Sequence, residues 1–443
     1  MRFLDLKYRI VGALVCAWLP IASVSAQSSD PPGDTLSADD LFDGSQLQDI
    51  WIHINARDWE RLLNAYLEGA YYPTDFEWHG VRVRNAGIRV RGRLSRSDHK
   101  PSLRVDFNRY VTGQEFLGLK SLVLNNEWQD PSMIRERLSM LVFRRMGLPA
   151  PRESHARVYI GSNREYAGVY TVVESIDQAF LVHNFNENDG HLYEYHWHEP
   201  YGFQDPGSNL DWYASRFEPK THETESTAVL FTPIRDLVQA INDARQSQLE
   251  DKIEPYLNLK VYITHIAIEN FLSQKDGLLG DFGMNNFYLY RFEAKRMSQL
   301  IPWDQDLAFA SMDTPPWQHM DTNVLATKIW DVPELRQVYL RTLLEVARSA
   351  DAPAGGFDAE DPSTRLCSVP DGEPPCGWLE EEVLREYAQI REAALADPLT
   401  PYSNEQFEQS MEFLRAFARH RGNVVREYVA RLAPDLAAAS RRR

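Results

Sequence analysis

Long apolar runs, cysteine and positive charge are all scarce in this 443-residue chain, and each shortage excludes a class of protein. After residue 26 no stretch approaches the ~20 apolar residues that cross a bilayer as a helix, so no membrane span is expected there. The three cysteines, Cys16, Cys367 and Cys376, show no C-x-x-C spacing, which argues against a metal site or a redox pair built on them. Lys and Arg number 47 against 64 Asp and Glu, and the formal charge of −17 argues against a nucleic-acid partner. No internal repeat is present, so a solenoid is not expected.

The one apolar run lies at the start. Arg2, Lys7 and Arg9 against Asp5 precede an apolar stretch from Ile10 to about Val24, which ends in Val24-Ser25-Ala26. Residues 1–26 therefore read as a signal peptide cleaved before Gln27. The run is short for a membrane anchor, and branched Val15 stands before Cys16 where a lipoprotein wants a small residue. Export, periplasmic or fully secreted, leaves Cys367 and Cys376 flanking a loop with Pro and Gly, where a disulfide persists. Closing so short a loop is worth roughly 2.5–3 kcal/mol. Positive charge concentrates locally in Arg82, Arg84, Arg89, Arg91, Arg93 and Arg96, a patch that could hold an anion or form the solvated face of strands.

Periodicity divides the rest. After a flexible start at 27–40, segment 41–174 is strand-rich: Ile50, Ile52 and Ile54 alternate, as do Val81, Val83, Ile88 and Val90, then Leu103, Val105 and Phe107. A helix over about 56–67 follows the first of these strands. Asp130-Pro131-Ser132 opens another helix, which Gly147-Leu148-Pro149 closes. A hairpin turns at Gly161-Ser162-Asn163. Segment 175–440 is mostly helical, at about 227–244, 259–274, 333–349, 379–394 and 403–432. Within it Phe287-Tyr288-Leu289-Tyr290 and residues 298–302 form a short hairpin.

That hairpin carries the chemistry. Before it runs a glycine-rich loop, 275–286, containing Asp281 and Asn286; after it stands the motif 302–306, Pro302-Trp303-Asp304-Gln305-Asp306. A hairpin brings its ends together, so Asp281 and Asn286 are expected near Asp304 and Asp306. Clustered carboxylates repel unless a cation sits between them. Asn and Asp offer oxygen alone, which suits Mg²⁺ or Mn²⁺ better than zinc. In protein kinases a catalytic Asp precedes a metal-binding Asn by five residues, and a second metal-binding Asp follows. Asp281, Asn286 and Asp304 keep that order, whereas the literal Asp281-Phe282-Gly283 lies before the hairpin, at the catalytic-loop position. The plainer reading is that these residues cap turns. His191, His196 and His198 also cluster, but no third ligand is apparent beside them, and an aromatic-rich surface loop is expected.

The chain resembles the CotH (spore coat protein H) kinase-like family from about Leu41 to Pro316. The resemblance shows in Gly87-Ile88-Arg89-Val90-Arg91-Gly92, in Asp130-Pro131-Ser132-Met133-Ile134-Arg135-Glu136 and in Gly168-Val169-Tyr170. Most specific are Asn285-Asn286-Phe287-Tyr288-Leu289-Tyr290 and Pro302-Trp303-Asp304-Gln305-Asp306. It implies an α+β, two-lobed atypical protein-kinase-like fold, with a small sheet-plus-helix N-lobe at 41–174 and a larger helical C-lobe at 175–440. It further implies transfer of the ATP γ-phosphoryl, with Mg²⁺ or Mn²⁺, to Ser or Thr of an exported protein substrate. Position by position, Asp281 resembles the catalytic base, and Asn286 and Asp304 resemble metal ligands, with Asp306 a candidate second. Lys100 would meet the nucleotide phosphates and Glu136 would pair with it, with Arg104 competing for the lysine's role. No G-x-G-x-x-G loop is present; Ser95 and Ser97 with backbone N–H groups would cradle phosphate instead. Two other readings stand beside this one: a CotH-like surface or coat module that binds without catalysis, and a secreted hydrolase using paired carboxylates.

Overall fold

A computed structural model describes residues 36–92, 96–353, 367 and 376–436; the expected signal peptide and Ser95 lie outside them. From Ser37 onward the chain builds two sheets and a helical body. The strands β1 (Gln48–Ile54), β2 (Tyr72–Trp78), β3 (Val81–Val90), β4 (Leu103–Asp106), β5 (Ser121–Asn125), β6 (Glu153–Ile160) and β7 (Glu165–Glu174) close into a barrel, in the order β1-β2-β3-β4-β5-β7-β6. The β1–β6 pair is parallel, from Gln48 opposite Ala156 to Ile52 opposite Ile160. The other pairs in the ring are antiparallel.

Period-two burial explains the ring. Ile50, Ile52, Phe76, Ile88, Val90, Leu103, Val105, Leu122, Leu124, Val158 and Val172 point inward and fill it. Arg89 and Arg104 face each other across β3 and β4 and alternate with these inward residues. The small sheet-plus-helix N-lobe is corrected on this point: the sheet is closed. An open sheet would leave β1 and β6 as two edges with unpaired backbone groups, and their parallel pairing removes both.

The helices are α1 (Ala38–Leu41), α2 (Ala56–Asn64), α3 (Arg135–Arg145), α4 (Gln178–Phe185), α5 (Leu210–Ala214), α6 (Thr227–Asp243), α7 (Leu249–Ile253), α8 (Leu259–Leu272), α9 (Val324–Asp331), α10 (Pro333–Asp351), α11 (Trp378–Leu395) and α12 (Asn404–Leu432). Asp130 starts α3 as the sequence implies: its carboxylate accepts from the Ile134 and Arg135 N–H groups, both at 2.9 Å. The apolar residues of α3, Ile134, Leu138 and Phe143, belong to one core with α8 and α10. Although the resemblance assigns this helix to the sheet half, its buried residues join the helical body. Helix α8 is buried on nearly every side, from Tyr262 to Leu272, and so forms the axis of that body.

A second sheet, in the order β11-β10-β8-β9, uses β8 (His191–Tyr195), β9 (Phe217–Pro219), β10 (Phe287–Arg291) and β11 (Ser298–Pro302). Its Leu192, Tyr288, Tyr290, Ile301 and Trp303 pack with Val123 and Val173 of the barrel wall. This contact sets the hairpin β10–β11 beside the barrel. Cys367 and Cys376 form a disulfide, with Cα atoms 6.4 Å apart.

Candidate active site

The loop 275–286 is shaped by one buried carboxylate. Glu269, near the end of α8, receives a hydrogen bond from His265 Nε2 at 3.1 Å and accepts twice from the Leu278 N–H, at 2.8 and 3.1 Å. A Cβ on Gly277 would lie 2.3 Å from Glu269 Oε1, so only glycine fits there. The loop then folds back: Asp281 N donates to Lys275 O at 2.7 Å, and Asn285 N to Gly277 O at 3.0 Å.

Asp276 gathers the end of the loop. The Asn286 amide donates to its carbonyl at 2.9 Å and to its carboxylate at 3.1 Å, and the Asn285 amide donates to both carboxylate oxygens. Phe287 pairs with Pro302, and Asn286 O accepts from Trp303 N at 3.1 Å, so the hairpin sets residue 286 against residues 303–304. Asn286 and Asp304 both adopt positive φ, 56° and 50°, uncommon for residues with a side chain.

Around Asp304 the carboxylates crowd. Burial raises the Asp304 pKa, Arg91 opposes the rise and Glu194 adds to it. Asp306 is held well above the ordinary range by burial and by the charges of Asp304, Glu136, Glu127 and Asp130. Glu136 is pushed up to about 8 by burial and by Asp304, against a hydrogen bond from the Asn125 amide. Burial lifts Asp276 to about 6, with Asp304 contributing. Arg91 lies 5.0 Å from the Trp303 ring centroid and is the cation acting on both Asp304 and Glu136. Glu136 and Asp306 are buried and Asp304 and Asp276 half-buried; all supply oxygen only and outnumber their counter-charge. They fit a hard divalent cation such as Mg²⁺ or Mn²⁺.

Four residues of the sequence reading meet here: Asn286, Asp304, Asp306 and Glu136. The Asp281 carboxylate takes a hydrogen bond from His319 Nε2 at 2.9 Å, beside exposed Phe282. Lys100 does not pair with Glu136. It is wholly buried, donating to Asp397 Oδ2 at 2.8 Å over the Tyr170 ring. The reason is the better anchorage of Asp397, which also accepts from the N–H groups of Val169, Leu399 and Thr400. Gly168, at φ +107°, makes room: a Cβ there would sit 2.3 Å from that carboxylate. Arg104 donates to Ser121 Oγ at 2.9 Å and acts on Asp177 and Tyr288 rather than on the acids at Asp304. The three expected histidines separate, His196 going to Glu218 and His198 to the Ser215 carbonyl, while His191 meets Glu225.

Sequence reasoning passed over Asp276, Arg91 as a site residue, Glu269 and His319. Arg91 stood in the arginine series, but it lies one residue past β3, and alternation does not say which arginine meets acid. Asp276 and Glu269 act through a folded loop that no spacing encodes, and His319 comes from a remote turn.

Oxygen donors therefore gather around Asn286 and Asp304 at the open end of the β10–β11 hairpin. Residues 88–350 match the CotH kinase protein family, and the chain belongs to that family. The inner spore coat protein H of Bacillus subtilis (strain 168) is 24% identical over 359 residues, covering 77% of this chain and 87% of the relative. Among solved structures, the Helicobacter pylori proinflammatory kinase CtkA aligns at 12% identity and a TM-score of 0.28, over 75% of this chain and 95% of that one.

Proposed function

We propose that the protein is an exported, metal-dependent kinase that transfers the ATP γ-phosphoryl to Ser or Thr of an extracytoplasmic protein. The observation that carries this reading is the gathering of carboxylates, Asp304, Asp306, Glu136 and Asp276, with Arg91 as the cation acting on Asp304 and Glu136. Asp304, Asp306 and the Asn286 amide oxygen would hold Mg²⁺ or Mn²⁺. A bound divalent ion supplies charge neutralisation to the phosphate oxygens. Arg91 takes the place expected of Lys100 or Arg104, as a guanidinium able to bind phosphate oxygens in pairs. Asp281 accepts the proton of the incoming hydroxyl. His319 holds that carboxylate in one orientation through its 2.9 Å hydrogen bond.

Export rests on the leader at 1–26 and is supported by the disulfide. Among the described residues no helix is long and apolar enough to cross a membrane. The test uses protein lacking residues 1–26, γ-labelled ATP, Mn²⁺ and a mixture of extracytoplasmic proteins. Label should appear on Ser or Thr of protein. Unlabelled protein together with no Mn²⁺–ATP shift in melting temperature would make the non-catalytic binding module the better reading.

A further inference from the structure

Away from the carboxylates of the candidate active site, a different donor set converges on the second sheet. We propose that His191, His222 and Glu225 form a zinc site that clips the segment entering α6 onto β8. Their ligand atoms all lie within 4.8 Å of one another. His191 Nε2 is 2.8 Å from Glu225 Oε2, and His222 Nδ1 is 3.6 Å from Glu225 Oε1. Ligand atoms of a tetrahedral zinc stand about 3.3 Å apart, so small side-chain shifts suffice.

Two further features suit a metal. His222 Nε2 lies 3.0 Å from the Asp189 carbonyl, and donating a proton there leaves Nδ1 with its lone pair, aimed at the cluster. The two imidazoles stack, with centroids 4.5 Å apart and planes 22° from parallel. Neutral imidazole is the form that binds metal. Two imidazoles and one carboxylate, leaving an open position for water, suit zinc better than Mg²⁺ or Ca²⁺. His222 and Glu225 are about one-third exposed, which gives an ion a route in.

Two similar groupings are already compensated. In Glu194, His196 and Glu218 the ammonium of Lys220 stands 2.7 Å from Glu194 and 2.8 Å from Glu218, where a metal would have to go. Beside Cys367 and Cys376 the sulfurs are bonded to each other, and Arg415 and Arg419 hold Glu380. Among the described residues no lysine or arginine forms a salt bridge with Glu225; Arg291 acts on it only at longer range.

The experiment strips the protein with a chelator, then titrates Zn²⁺ calorimetrically and follows melting temperature, all without nucleotide. A single zinc should bind at micromolar concentration or tighter and raise the melting temperature by a few degrees. His222→Asn and Glu225→Gln should each weaken binding at least tenfold, whereas His196→Asn and Asp304→Ala should leave it unchanged. No zinc uptake, or equal uptake by the His222→Asn/Glu225→Gln double variant, overturns the site. So does loss of uptake in Asp304→Ala, which would place the zinc among the active-site carboxylates.

Discussion

Two charge clusters, one wholly buried and one partly so, are built on opposite plans. At the base of the barrel Lys100 and Asp397 form a closed account of charge: an ammonium, a carboxylate and three backbone donors satisfying it. At the hairpin, Asp304, Asp306 and Glu136 repel one another, with Arg91 as their facing cation. Burial costs an ion several kcal/mol unless its partners make up the loss. The first cluster is satisfied within the chain; the second carries more acid than base. The lysine that the family resemblance would assign to catalysis therefore belongs to the architecture.

The sharpest test of this contrast is Asp304→Ala. Removing a metal-holding carboxylate should cost several kcal/mol of transition-state stabilisation, about 10³-fold or more in transfer rate. Yet the nucleotide-free protein should melt no lower, because an uncompensated charge has gone. Calorimetry and a transfer assay on one sample read both, and a large fall in melting temperature would break the comparison. Asp281→Asn should cut transfer by about 10²–10⁴-fold and leave Mn²⁺–ATP affinity intact, as measured by thermal shift.

The compensated cluster should answer the other way. Lys100→Met strands Asp397 in the interior and should lose about 3–5 kcal/mol in denaturant unfolding. Activity per folded molecule should stay near that of the unaltered protein. A Lys100→Met enzyme that folds normally but no longer binds ATP would return the lysine to the active site.

The smallest effect is a slope with pH. Glu136 sits at about 8 in the folded chain, above the ordinary 4.5 of a free glutamate. The folded state therefore holds that proton more tightly than the unfolded state. Its contribution is full below about pH 4.5 and is lost as the pH rises toward 8. Metal-free protein should melt progressively lower across that window, and Glu136→Gln should flatten the trend.

Most elements were legible because their periodicities are strong. The helices near 227–244, 259–274, 333–349, 379–394 and 403–432 and the hairpin around 287–302 stand where alternation and turns put them. Barrel closure was not legible, since the parallel β1–β6 pair joins strands about a hundred residues apart and carries no local mark. In the site, the neighbourhood of Asn286 and Asp304 follows from hairpin geometry. The Lys100 partner does not: Asp397 lies 297 residues away, in a turn after α11, and only the folded chain shows it. Asp281 was expected near Asp304 because the hairpin brings its two ends together; its hydrogen-bond partner His319, 38 residues further on, is shown only by the folded chain.

The Lys100–Asp397 pair also bears on how the molecule can move. Asp397 follows α11, and that helix and its flanking turn touch the barrel elsewhere: Tyr166 donates to the Ala393 carbonyl at 2.8 Å, and His155 meets Glu386 at 3.0 Å. These contacts fasten the barrel to the helical body. A clamshell closure over nucleotide would have to shear a fully buried ion pair, at a cost of roughly several kcal/mol. Adjustment to any ligand is thereby left to side chains and to the loop at 275–286, and the candidate site is expected to be set before anything binds.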